Sequence, residues 1–302
     1  MKRERKYGKL RRAALVLTAL CLVFLPWATG CASADREIVA TCGGDDVLRE
    51  EYSFLAGRLT EAGLSEEEIR AKVEPQIITD RAILAAGAEL LDGLTVDDKS
   101  VKAAVKAGVQ SAIDEYGGKS AYKAALSEMS LTEHHLRRML AVAEIQRLLT
   151  ERVFAGTELE SEESFAAWLT DDAHYARVER FDFRTAGEAD AFLSATRDGA
   201  DTDTVCAAHG GQKSSPTYCF WGLGGEDLDA LLFALPADGA TLSAVFERET
   251  GTFSVYRRLA VSETERADMA ALQGLAVRDR LRTLRWDAFL ATYESGLEVS
   301  WK

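Results

Sequence analysis

A change of texture at Thr170 constrains this chain more than any other feature. Before it, segments 50–63, 65–92, 95–116, 119–129 and 130–154 carry helical patterns. Ile77, Ile78, Ile83 and Leu84 keep that spacing, as do Leu136, Leu140, Ile145, Leu148 and Leu149. After it come short alternating runs, glycine turns and brief helices as far as Val261, and then a helical segment resumes over 262–296. The punctuation agrees with this division. Ser65 and Glu68 have capping-box spacing, Thr95 or Asp97 opens the next helix and Gly117-Gly118 closes it. Thr132 caps another helix, and Ser262 or Thr264 opens the last, with Glu265 in its first turn. Pro75 is expected to kink or split its helix, and Gly274 to interrupt the final one. A mainly helical part followed by a mixed part gives an α+β fold class.

The ends of the chain add two alternating pieces. Ile38, Ala40 and Cys42 alternate, the chain turns at Gly43-Gly44-Asp45, and Val47-Leu48 leads into the first helix; Leu297, Val299 and Trp301 alternate at the other end.

The first twelve residues hold seven basic side chains and one acid, a net +6, so a chain of net charge −13 carries −19 on the remainder. That acidic body excludes nucleic acid as a partner and would repel an anionic lipid surface. Behind the basic start, Ala13–Leu25 is an apolar run of signal-sequence length, and no charge appears before Asp35. An uncharged span used as an anchor is the alternative, but Pro26 and the small turn after it suit a cleavage site better. Thr29-Gly30-Cys31, with Ala28 ahead, resembles the lipobox of bacterial lipoproteins. The resemblance implies a signal peptide over 1–30 and acylation of Cys31. It also implies residence on the outer face of the cytoplasmic membrane, held to lipid through that cysteine. Cys42, Cys206 and Cys219 then remain; Cys206 with Cys219 is the natural disulfide by spacing, and three free thiols is the alternative.

Three pieces stand in order along the helical part: Thr95-Val96-Asp97-Asp98, Tyr116-Gly117 and Leu131-Thr132-Glu133, behind the strand "EIVATCGGDDVLREEY". This order resembles the N-terminal module of the SurA/PrsA/trigger-factor-like foldases over about residues 37–154. Thr41-Cys42-Gly43 departs from the commoner Val-Asn-Gly. The resemblance implies a module that binds unfolded or secreted polypeptide. It also implies that the C-terminal segment folds back on it, so that the terminal strands pair. The module would then comprise 37–169 and 263–302, with an α+β domain inserted over 170–262.

That inserted segment has its own resemblance. Glu188-Ala189, Gly199-Ala200-Asp201, Phe220-Trp221-Gly222, Leu232-Phe233-Ala234-Leu235, Gly239 and Gly251 follow the framework of the parvulin peptidyl-prolyl isomerases. Alignment on "FRTAGEA" sets Arg180 where the family has its first histidine, or Glu179 if the register slips by one; alignment on Gly251 sets Phe253 at the second. His174 lies about six residues too early, roughly 20 Å along a strand. Asp182, on the same strand face as Arg180, is its candidate partner, and Thr202 replaces a common core phenylalanine. The pocket candidates are Phe220, Trp221, Phe233 and Phe253, although Phe220-Trp221 reads first as core.

Prolyl rotation needs no nucleophile, because its barrier of about 18–20 kcal/mol is torsional. An unanswered cation beside an apolar pocket is nevertheless costly. The expectation is a chaperone without efficient isomerase activity and with no catalytic residue. An active parvulin-type isomerase is the first alternative and a structural or partner-docking envelope lipoprotein the second. No cofactor or metal is expected: Walker, GxSxG, HExxH and dinucleotide patterns are absent, and no cysteine or histidine spacing suits a metal. His134 and His135, without an acid at i+4, are expected on the surface, and His209 in a mobile surface loop.

Overall fold

The computed structural model describes residues 36–197 and 200–302. The segment 1–30 expected to be a signal peptide, the expected acylation site Cys31, and Gly199 lie outside the described residues. The chain divides into a discontinuous unit, Met1–Val153 with Ala288–Lys302, and a continuous one, Phe154–Asp287.

In the discontinuous unit, β1 (Ile38–Cys42) and β2 (Asp45–Leu48) form a hairpin whose turn places Gly43 and Gly44 at φ +59° and +91°. Helices α1 (Arg49–Glu61), α2 (Glu66–Leu90), α3 (Lys99–Glu115), α4 (Lys119–Glu128) and α5 (Glu133–Phe154) follow. Ser65 caps α2 in a reciprocal box with Glu68. The α3 cap is Asp98, whose carboxylate holds the Thr95 amide and hydroxyl, and Thr132 accepts from the His135 amide at the head of α5. Pro75 does not break α2. It lies on an exposed stretch, so the Ala71 carbonyl that loses its helical donor faces water.

The continuous unit begins with α6 (Glu162–Trp168) and β3 (Tyr175–Phe183). α7 (Ala186–Arg197), α8 (Thr202–Ala208), β4 (Gln212–Lys213), β5 (Thr217–Phe220) and α9 (Glu226–Ala234) come next. It continues through β6 (Phe246–Glu247) and β7 (Phe253–Leu259) into α10 (Glu263–Glu294), whose last turns belong to the first unit. The last strand is β8 (Val299–Trp301).

β8 pairs antiparallel with β1, Ala40 opposite Trp301 and Cys42 opposite Val299, so both chain ends build the sheet β2-β1-β8. Its buried face, Ala40, Cys42 and Val47, packs on Ala56, Ile69, Val73 and Ile77. Trp301 adds an edge contact to Tyr52, a guanidinium from Arg70 over its ring, and an indole bond to Glu74 at 2.6 Å.

β3 is the central strand of the second sheet, with β7 on one edge and β4 and β5 on the other. Strand alternation gives the sheet two cores. Phe181 and Phe183 pack with Val255 against α7 and α8. Ala176 and Val178 pack with Tyr256 against Leu232 of α9. Gly274 does not interrupt α10; a Cβ there would sit 3.4 Å from Leu169, so the glycine marks a close approach.

The unit boundaries fall at 153/154 and 287/288 rather than at 169/170 and 262/263. Residues 154–169 associate with the middle turns of α10: Arg278 and Arg285 pair with Glu162 and Glu158, and the Arg282 guanidinium lies over Phe154. The expected disulfide between Cys206 and Cys219 is not formed, and both thiols are free. Cys206 packs beneath Phe181 and Phe183, whereas Cys219 pairs with Ala176 on the opposite face, so the sheet separates the thiols.

Candidate functional site

β3 carries the residues that the sequence singles out. His174, at its entrance, is half-buried: its ring stacks on Trp168 at 4.2 Å and its Nδ1 meets the Trp168 carbonyl at 2.8 Å, a structural contact. Arg180 Nε donates to Asp182 at 2.8 Å, the same-face partner at i+2, and Ser254 donates to the other Asp182 oxygen at 2.6 Å. Across the strands Arg180 faces Tyr256, and Asp182 faces Ser254. Burial raises the Tyr256 phenol and the Cys219 thiol on this face, so neither is a ready nucleophile at neutral pH.

Phe253 is not Arg180's counterpart. It pairs with Phe183 and packs in the α7/α8 core, on the other face of the sheet. The three-residue offset from Tyr256 reverses its direction, because side chains alternate along a strand. The four aromatic pocket candidates therefore do not converge. Phe220 and Phe253 sit at opposite ends of nine-residue β3, opposite Tyr175 and Phe183. Trp221 and Phe233 do meet, edge to face at 5.1 Å, and Trp221 is 45% exposed. Glu179 turns to the far face, where it binds Arg257, which also donates to Thr202. Thr202 is thus a polar partner where the resembled family has an apolar one.

A second set of polar groups lies in the discontinuous unit, and sequence patterns did not reveal it. Arg81, 2% exposed, donates through both Nη atoms to Glu51 at 3.0 Å, and Nη2 also reaches the Asp46 carbonyl. Glu50 is buried one residue earlier; it accepts from Thr132 at 2.5 Å and meets His134 Nδ1. His135 is 4% exposed, packs on Phe54, and has a buried Nδ1 without a partner. Of the two histidines expected at the surface, His134 is exposed and meets its acid from α1 rather than from its own helix, whereas His135 is buried. His209 is half-buried at the end of α8, where its amide donates to the Val205 carbonyl.

Two open grooves adjoin this cluster. One of about 550 Å³ is lined by Cys42, Asp45, Arg81, Leu84, Leu94 and Arg138, among others. The other, of about 640 Å³, runs between α3 and α5 over Val105 and Ala141. Val96 and Arg138 line both. Each volume is in the range of pockets that enclose ligands.

No protein-family model matches the chain, and no curated protein matches it. Solved structures resemble it at low score. A peptidylprolyl isomerase (PrsA) of Bacillus cereus aligns over 86% of this chain and 90% of its own, at 11% identity and a TM-score of 0.43. The foldase protein PrsA of Streptococcus pneumoniae aligns over 85% and 92%, at 14% identity and a TM-score of 0.29. A structure described with the SurA-like chaperones of Campylobacter jejuni aligns over 88% and 98%, at 11% identity and a TM-score of 0.29. Identity this low says nothing of activity.

The chemistry available differs between the two places. The β3 face offers an arginine already neutralised by Asp182 beside a raised phenol, a poor setting for proton transfer. The grooves offer apolar floor, backbone and charged rim, which suits binding rather than bond breaking.

Proposed function

We propose that this protein is a membrane-anchored extracytoplasmic chaperone that holds unfolded or secreted polypeptides and lacks efficient prolyl isomerase activity. The observation that carries this reading is the pair of adjoining grooves in the discontinuous unit, floored by Leu84, Leu94, Val105 and Ala141. Extended chain segments need such a surface, with apolar floor for side chains and polar rim for the backbone. The closure of that unit by β8 also agrees with the foldase-like organisation of the sequence.

Anchoring is part of the proposal. Cys31 would carry the acyl chains, placing the protein on the outer face of the cytoplasmic membrane, where secreted chains emerge unfolded. Among the described residues no helix is long and apolar enough to cross a membrane. Replacement of Cys31 by alanine is therefore expected to release the protein from the membrane fraction; retention would argue against a lipid anchor.

The weak isomerase expectation rests on Arg180, Asp182 and Ser254, whose linked polar groups occupy the face where a prolyl ring would need an apolar pocket. An aggregation-suppression assay tests the main claim. At stoichiometric protein, a chemically unfolded client should aggregate more slowly; unchanged aggregation together with no binding would overturn it.

A further inference from the structure

We infer that the groove between α3 and α5 selects acidic polypeptide segments, taking carboxylates on its rim and an apolar side chain on its floor. The inference rests on the polypeptide-binding reading and adds a substrate class to it.

Charge reverses locally along this groove. Outside the first twelve residues the chain carries −19, yet the stretch "KSVKAAVK", Lys99 to Lys106, has three lysines and no acid. Lys102, Val105 and Lys106 share one face of α3 at i, i+3 and i+4. His134, Arg137, Arg138 and Ala141 share one face of α5 with the same spacing, and the two faces line one groove. Val105 and Ala141 are buried at its floor, whereas Lys102, Lys106 and Arg137 are exposed at its rim.

The cations are differently engaged. Lys106 has no ion-pair partner among the described residues. Lys102 pairs with Asp97 and Arg137 with Glu133, in both cases at the surface. Such solvent-exposed pairs are weak, so an incoming carboxylate can compete for them. Arg138 is set deeper, 3.8 Å from the Glu51 carboxylate that Arg81 already holds. The rim therefore presents three exchangeable cations and one fixed cation. Among the described residues that line the groove, Asp97 is the one acid, and Glu50, Glu133 and Glu51 sit behind its rim on His134, Arg137 and Arg138.

A polypeptide segment fits this arrangement better than a membrane or a nucleic acid. The surrounding acidic body repels an extended polyanion, while a segment bearing a few carboxylates meets mainly the local field within a Debye length of about 8 Å. The apolar floor has no counterpart in a phosphate backbone.

The test uses the full chain and short unstructured fluorescent peptides that share one apolar core and differ only in flanks of Glu, Gln or Lys. Binding is read by anisotropy. The Glu-flanked peptide should bind about tenfold more tightly than the Gln-flanked one, a factor consistent with two surface ion pairs. The Lys-flanked peptide should bind most weakly. The Lys102→Glu/Lys106→Glu variant should reverse the order, and Lys106→Gln alone should reduce the preference; both sites are exposed, so circular dichroism should not change. Equal affinity for all three peptides would overturn the selectivity while leaving polypeptide binding intact. Absence of binding to any of them would overturn both. Anionic phosphatidylglycerol vesicles form a separate arm: charge reversal that abolishes vesicle binding but leaves the peptides unaffected would replace the peptide occupant by a lipid headgroup.

Discussion

Arg81 and Glu51 form a two-pronged ion pair almost out of contact with water, and the Arg81 Nε has no partner. Removing one member of such a pair strands the other. Arg81→Met should cost about 3 kcal/mol, at the low end of the usual 3–5 because Arg138 stands 3.8 Å from the stranded carboxylate. Arg81→Met with Glu51→Leu should restore most of that loss in urea titrations. His135 supplies the pH dependence. Burial pushes its imidazole below the ordinary value, against the pull of Glu51 and Glu50 and with smaller reinforcement from the cationic Arg138 and from His134. The unfolded chain thus takes up the proton first as pH falls. Its contribution to stability is full above about pH 6.5 and declines as pH falls toward the folded-state value. Burial raises Asp80, so its effect has the opposite sign and belongs to the acid range. The urea midpoint should fall between pH 7.5 and pH 6, and His135→Phe should flatten that dependence; an identical slope in both proteins would contradict the assignment. None of this was legible in the sequence, because the acids facing these histidines stand some eighty positions away, on α1.

Helix boundaries were the most legible elements, since caps are local chemistry: Ser65 with Glu68 and Ser262 with Glu265 make the bonds that their spacing implies. Breaks were less legible, because Pro75 and Gly274 act according to what faces them. A related case is Gly87, on the buried side of α2, where a Cβ would stand 2.5 Å from Ile145 Cγ2 of α5. Gly87→Ala should cost about 1–3 kcal/mol despite its better helix propensity. Combined with Ile145→Ala, the loss should be at least about 1 kcal/mol smaller than the sum of the single losses. Strand faces set the limit of the site reading. Arg180 and Asp182 follow from alternation, whereas the residue across from Arg180 depends on the β3–β7 register, which a single sequence does not contain. Trp301, half-buried on β8, should lose about 2 kcal/mol on replacement by alanine, below the 3–5 of a fully buried aromatic. An unchanged unfolding midpoint would mean that the terminal strand does not help hold its sheet.

At the scale of the molecule, the helical unit is made from both ends of the chain, and the α+β unit is inserted in it. The change of texture at Thr170 does not mark the unit border at 153/154, because 154–169 and the middle of α10 are helical like the first unit but associate with one another. The grooves were not legible, since helical periodicity does not separate a core face from a groove face; the acid-free lysine run was the one available signal. The central claim is that this protein holds unfolded chains without catalysing prolyl rotation. Refolding of a proline-limited client at micromolar chaperone tests both halves in one trace. The account predicts a higher yield of native client with an unchanged rate constant for the slow phase; an accelerated slow phase, or a yield no better than without the protein, would contradict it.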